Sequence, residues 1–192
     1  MLSPTVQKLA DLFAKFPTVG QRTARRFTFY LIKNEQKKID DLITAIKNLK
    51  NKIKLCALCG KSFENEEQKS DLCAICSDSR RDKTVVCIVE KEVDLETIEK
   101  TKQFAGLYFI WDTNNEEQQL KKIISRIKKE PIKEIILALN PTLDGRQLVL
   151  KIQRNLQELG IKITQLGRGL PVGGEIEYAD EETITSAFES RK

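Results

Sequence analysis

Apolar residues recur at Val6, Leu9, Ala10 and Phe13, the i, i+3, i+4, i+7 spacing of an amphipathic helix, and Ser3-Pro4 offers an N-cap followed by proline at the first helical position. Phe16-Pro17 ends that helix. After Pro17-Thr18-Val19-Gly20 the same period returns at Ala24, Phe27, Thr28 and Leu31, and again at Ile39, Leu42, Ile43, Ile46, Leu49 and Ile53. Residues 1–54 therefore read as a small all-helical unit. Beyond residue 78 the pattern changes to short β-branched runs at 84–89, 107–111, 134–139 and 161–166, alternating with charged helical stretches near 93–103, 116–130 and 145–159. That alternation predicts a right-handed parallel α/β sheet. The run from Gly167 to Gly174 is too rich in glycine and proline for helix or strand, and it precedes a terminal helix near 181–190. The expected organisation is multidomain α/β: a helical unit at 1–54, a cysteine module at 55–78, an α/β domain at 79–166, and a C-terminal segment and helix at 167–192.

Four of the five cysteines stand in two pairs, Cys56-Ala57-Leu58-Cys59 and Cys73-Ala74-Ile75-Cys76, separated by 13 residues. Two C-x2-C pairs so spaced can present four thiolates tetrahedrally, the arrangement of a closed structural Zn²⁺ site with no position open to water. A disulfide pair and an iron–sulfur cluster are the competing readings. The chain contains no histidine, which excludes Ser-His-Asp and Cys-His catalysis, His-ligated catalytic metals and imidazole bases. Cys87, inside the apolar run Thr84–Val89, reads as a small buried hydrophobe rather than a reactive thiol. No G-x4-GK[ST] loop is present for ATP-driven work, and Tyr30 and Tyr108 fall within a helix and a strand rather than where a nucleophile would sit.

At 192 residues and 40% hydrophobic content the chain can form packed cores. No stretch approaches the roughly 20 apolar residues of a membrane span, and the N-terminus lacks a signal pattern, so a cytoplasmic location is expected, where reduced thiols bind metal. The net charge of +5 is unevenly placed: residues 1–54 hold 12 Lys and Arg against 4 Asp and Glu, a net of +8, and the remainder holds 21 against 24, a net of −3. Such asymmetry points to a polyanion at the N-terminal unit, most simply nucleic acid, against the plainer reading of lysines on solvated helix faces.

The turn at 17–20 sharpens that reading. It carries a glycine, and Arg22, Arg25 and Arg26 follow on the first turns of the second helix, whose backbone N–H groups can meet a phosphate. This resembles a helix-hairpin-helix, a module that grips the DNA backbone without reading sequence, the alternative being an ordinary helix–helix connection. In the α/β part, Glu90 closes the first strand and Asp144 follows the third, both at strand carboxyl ends where parallel sheets place ligand sites. That layout resembles a Toprim domain, whose carboxylates hold Mg²⁺ in topoisomerases and primases. Asn140 occupies a position where a further acid would serve metal-assisted phosphoryl chemistry, so a binding role is favoured over a catalytic Mg²⁺ site.

The order of these parts, together with Cys73–Cys76 running into Arg80-Arg81-Asp82, then Cys87-Ile88-Val89-Glu90, Asn140-Pro141-Thr142 and Gly169-Leu170-Pro171-Val172-Gly173-Gly174-Glu175-Ile176-Glu177-Tyr178-Ala179-Asp180, resembles the RecR family of bacterial recombination mediators over nearly the full length. The resemblance implies a non-enzymatic DNA-binding protein, cytoplasmic and nucleoid-associated. Such a protein forms a ring-like homo-oligomer, with a tetramer favoured, and assists RecO and RecF in loading RecA onto DNA covered by single-strand-binding protein. It implies DNA contacts at Arg22 and Arg26, one structural Zn²⁺ on Cys56, Cys59, Cys73 and Cys76, and Toprim acids at Glu90 and Asp144. It also implies oligomer contacts in the C-terminal segment. Three features depart from the family pattern: Thr18 and Gln21 replace the glycine and proline common in the hairpin, the stretch after Trp111 is shorter, and the spacer between the cysteine pairs is longer.

Overall fold

The computed structural model describes residues 2–65, 70–167, 169–189 and 191. Arg168 in the glycine-rich run and Ser190 at the expected end of the last helix lie outside them. The chain divides into two compact units, Met1–Ile53 and Lys54–Lys192.

The first unit holds α1 (Pro4–Phe13), α2 (Gln21–Ile32) and α3 (Gln36–Lys52). Ser3 caps α1, its hydroxyl accepting the Val6 N–H at 3.5 Å. Ala10, Ala24 and Thr28 are fully buried, small residues that let α1 and α2 approach closely. The Phe13 ring meets Phe16 and Phe27 edge-on at 5.9 and 5.8 Å. The connecting turn is closed by the Val19 N–H on Phe16 O at 3.1 Å, and Thr18 sits in the left-handed region at φ +64°. The expected stripe on α3 forms, yet no residue of that helix is buried. Ile53, expected as the last apolar position of this helix, instead leaves it at φ −88°, ψ 127°. It opens β1 (Ile53–Leu55), which pairs with β2 (Ser62–Glu64), so ladder bonds replace helical ones there.

The second unit is built on a four-stranded parallel sheet of β3 (Asp82–Val89), β4 (Gly106–Ile110), β5 (Glu134–Ala138) and β6 (Lys162–Gln165), in the order β4-β3-β5-β6. Ahead of it lies the short α4 (Ala74–Ser77), and α5 (Glu92–Lys100), α6 (Glu116–Lys129) and α7 (Leu143–Leu156) make the crossovers. Period-2 alternation divides the core into two layers. Val86, Ile88, Leu107, Phe109, Ile135 and Leu137 pack with Ile123 of α6 and with Leu148, Ile152 and Leu156 of α7. Cys87, Val89 and Tyr108 pack instead with Leu95 of α5 and the four paired cysteines. Cys87 is 2% exposed, and burial alone pushes its thiol up to about 12, as expected of a core residue.

The helix expected near 145–159 begins two residues earlier, because the Thr142 hydroxyl caps it by accepting the Gly145 N–H at 3.1 Å. It ends as α-helix at Leu156. Residues 157–159 tighten into a 3₁₀ turn, and Gly160 at φ +67° supplies the left-handed stop. After β6 the chain runs through a 3₁₀ turn (Ile176–Tyr178) to α8 (Glu181–Glu189). Among the described residues no helix is long and apolar enough to cross a membrane.

Candidate functional site

The chain turns back on itself after β1, with the Cys56 N–H on Lys61 O at 2.8 Å and the Gly60 N–H on Cys56 O at 2.9 Å. This places Cys56 and Cys59 on one knuckle. Cys73 caps α4 and Cys76 lies within it, and the Ala57 N–H on Asp71 O at 2.9 Å ties the two halves together. All four Sγ atoms lie within 4.8 Å of one another and every one of these residues is buried. Cys59 and Cys73 Sγ are 3.6 Å apart, close to the ~3.8 Å that a tetrahedron of ~2.3 Å zinc–sulfur bonds requires.

Backbone N–H groups of Lys61 and Cys73 reach the Cys59 and Cys56 sulfurs at 3.4 Å, an interaction that favours thiolate. Four thiols so close cannot all ionise unaided. Hydrogen bonding to Cys73 pushes the Cys59 thiol up to about 12, Cys76 is raised by its bond to Cys59, and Cys73 is drawn down by those same neighbours. A divalent cation removes that conflict, so the donor set fits a bound metal ion. All five cysteines are free thiols, and the four are the only group of three or more His, Cys, Asp or Glu residues able to hold a metal among the described residues.

Three fastenings join this centre to the sheet and its flanking helices, and the pairing of cysteines foretold none of them. Cys59 O accepts the Ile110 N–H at 2.8 Å. Arg126 of α6, 6% exposed, donates from Nη1 to Tyr108 O at 3.1 Å and to Leu58 O at 3.4 Å while Nε pairs with Glu130 at 2.8 Å. Glu92, in the first turn of α5, accepts from Lys61 Nζ at 2.8 Å, the Ser62 hydroxyl at 2.8 Å and the Ser62 N–H at 3.0 Å. Burial alone would raise the Glu92 carboxyl, but these donors hold it below its ordinary value. The available signal was an arginine set among the apolar positions Ile123, Ile124 and Ile127.

The order β4-β3-β5-β6 reverses direction between β3 and β5, the switch point of the sheet, where a crevice opens at the strand carboxyl ends. Glu90 follows β3 there, half-buried, and its Oε1 accepts the Asn140 N–H at 2.7 Å across the gap. Gly145 lies against the same loop, so close that a Cβ on it would sit 2.0 Å from Asn140 O. Asp144 is exposed in the first turn of α7. Glu90 and Asp144 line one cavity of about 860 Å³, together with the ion pair of Lys151 and Glu116. Of these three carboxylates Glu90 is engaged by a backbone amide and Glu116 by Lys151, so they do not make the dense cluster that two-metal phosphoryl chemistry uses.

Arg22, Arg25 and Arg26 all lie exposed on the first two turns of α2, and none is held in an ion pair among the described residues. Arg22 and Arg26 are one helical turn apart on the same face. Gly20 begins the helix in extended conformation with no side-chain cap, so the amides of the first turn are left for an outside acceptor.

The parts define a helix-hairpin-helix and Toprim protein with a four-cysteine metal centre. Residues 6–50 match the family "RecR, helix-hairpin-helix", 84–167 match "Toprim domain", and 169–192 match "RecR, C-terminal". "Recombination protein RecR" of Chloroherpeton thalassium is 39% identical, with 98% of this chain and 97% of that one aligned. The proteins of the same name from Bifidobacterium adolescentis and Chloroflexus aurantiacus are 36% and 37% identical, over 97% and 100% of this chain and 95% and 96% of theirs. The chain belongs to the RecR family of recombination proteins.

Proposed function

We propose that the chain is a non-enzymatic, DNA-binding recombination mediator that assists RecO and RecF in loading RecA onto DNA covered by single-strand-binding protein. The observation that carries the reading is the trio Arg22, Arg25 and Arg26, exposed and without an ion-pair partner among the described residues, beside an uncapped helix start. Amide donors and guanidinium groups converging on one turn suit phosphate oxygens and ignore base identity. Residues 1–54 are the DNA-binding unit, 55–78 the zinc module, 79–166 the Toprim domain, and 167–192 an oligomer contact. Val172, Ile176, Tyr178 and Phe188 support the last assignment, since each is at least 64% exposed. The working form is a cytoplasmic, nucleoid-associated ring, a tetramer, in which several weak hairpin contacts combine by avidity.

Zn²⁺ is the metal that four buried thiolates select, one per chain, and it stabilises the fold without taking part in chemistry. The sparse acids at the switch point and the absence of histidine support a non-catalytic role. Glu90 and Asp144 then present negative charge to RecO rather than serve an active Mg²⁺ centre. Binding to a labelled oligonucleotide, followed by anisotropy across a salt series, tests the reading. Affinity falls steeply with salt, and Arg22→Glu/Arg26→Glu flattens that slope. Wild-type binding by the double variant would sink the assignment, and Mg²⁺-dependent nicking of supercoiled DNA abolished by Glu90→Ala would sink the non-enzymatic part.

A further inference from the structure

Positive charge gathers a second time, on the second unit. Between Lys121 and Lys129, α6 carries Lys121, Lys122, Arg126, Lys128 and Lys129 and no acid, within a region, residues 55–192, whose net charge is −3. Lys122, Ser125, Arg126 and Lys129 stand at i, i+3, i+4 and i+7, so they share one helix face, and Lys121 flanks it. These five residues line a groove of about 380 Å³ together with Glu130, whose carboxylate is taken up by Arg126 Nε at 2.8 Å, with Phe109, and with Ala57 and Leu58 of the first cysteine pair.

Lys121, Lys122 and Lys129 are exposed, and none is in an ion pair among the described residues. Arg126 is buried on the same helix face, and its Nη2 has no hydrogen-bond partner among the described residues. The negative end of the helix dipole accounts for Lys128 and Lys129 in the last turn, but not for Lys121 and Lys122, two turns earlier.

We propose that this groove is a second contact for the phosphodiester backbone of DNA, on the α/β unit and beside the metal knuckle. It rests on the DNA-binding reading above and adds an interface to it. An acidic protein segment is the rival occupant. A protein hot spot wants an accessible aromatic or aliphatic anchor, whereas Phe109, the one aromatic in the groove wall, is 4% exposed. Three compact, rotatable ammonium charges with no bidentate fork suit phosphates read without regard to sequence.

The test uses the full chain carrying Lys121→Gln/Lys122→Gln/Lys129→Gln, beside Arg22→Glu/Arg26→Glu. Zinc content and urea unfolding serve as controls for folding. Anisotropy of a labelled single-stranded oligonucleotide is followed over a salt series, and a polyglutamate peptide is titrated in parallel. Three phosphate contacts predict that the lysine variant loses about 2 from the slope of log K against log salt and binds about ten- to hundredfold more weakly at ~0.1 M salt. A wild-type slope in the lysine variant overturns the proposal while leaving the hairpin reading intact. A wild-type slope combined with lost polyglutamate binding overturns it in favour of an acidic protein partner. Loss of DNA binding in the lysine variant, with none in the arginine variant, supports the groove and overturns the hairpin reading.

Discussion

Replacing Thr18 with glycine stabilises the helical unit, because the native side chain occupies a backbone conformation that disfavours it. At φ +64° a residue with a Cβ crowds its own carbonyl, which costs about 1–2 kcal/mol, and branching at Cβ places threonine at the upper end. The side chain is exposed, so truncation forfeits little buried surface. Glycine gives back about 0.5–1 kcal/mol through the larger entropy of its unfolded state. The net expectation is a gain of about 1–1.5 kcal/mol, with the Val19 N–H to Phe16 O bond of 3.1 Å that closes the turn retained. Urea unfolding followed by helical circular dichroism reads this as a midpoint raised by about 0.3–1.5 M. Thr18→Asn, which tolerates the left-handed region better, falls between the two. DNA affinity stays at or above the native level, since the proposed contact groups are Arg22, Arg25 and Arg26. A midpoint that falls in Thr18→Gly would refute the strain argument.

Removing the metal with a strong chelator loosens the knuckle and its bonds to Ile110 and Arg126, so thermal unfolding of the α/β unit drops and restored Zn²⁺ recovers it. Glu92→Ala strips the Ser62 N–H of its acceptor and frees Lys61, which lowers stability by about 1–3 kcal/mol and speeds zinc release to a chromogenic chelator. Gly145→Ala drives a Cβ to 2.0 Å from a backbone oxygen, so the Asn140 loop shifts and RecO binding falls in a pull-down while hairpin-mediated DNA binding holds. Glu99, held below its ordinary value by its bonds to Arg81 at 2.5 and 2.8 Å, contributes stability that is complete above pH ~4.5 and lost as pH falls through the lower folded value. Glu99→Gln flattens that acid-side decline and costs about 1–2 kcal/mol at neutral pH, measured by urea unfolding.

Elements with a strong period were legible from the residues. The four strands and the helices of the α/β unit fall within a few residues of where alternation put them, and the paired cysteines disclosed their own clustering because C-x2-C spacing is a direct geometric statement. The misreadings have local causes. Ile53 continued the helical period of α3, and only its pairing partner Ser62–Glu64, nine residues on, moved it into a strand. The apolar stripe of α3 predicted a helix correctly, but periodicity says which residues share a face, not whether that face is covered in the chain. Thr18 departed from the hairpin pattern, and the left-handed φ explains why a glycine suits that position. At the candidate site the amide engaging Glu90 and the clamp at Glu92 join residues 50 and 30 apart, contacts that no local spacing encodes. The charge on α6 escaped notice because net charge over a long region averages a basic helix face against acids elsewhere.

In the proposed function Arg22 and Arg26 commit this chain to DNA as a mediator rather than as an enzyme. RecA filament formation on single-stranded DNA covered by single-strand-binding protein, in the presence of RecO, tests it most directly. The native chain is expected to accelerate filament formation without cleaving the DNA, and Arg22→Glu/Arg26→Glu, folded and zinc-loaded, is expected not to accelerate it. Equal acceleration by the double variant would contradict a mediator role for the hairpin arginines.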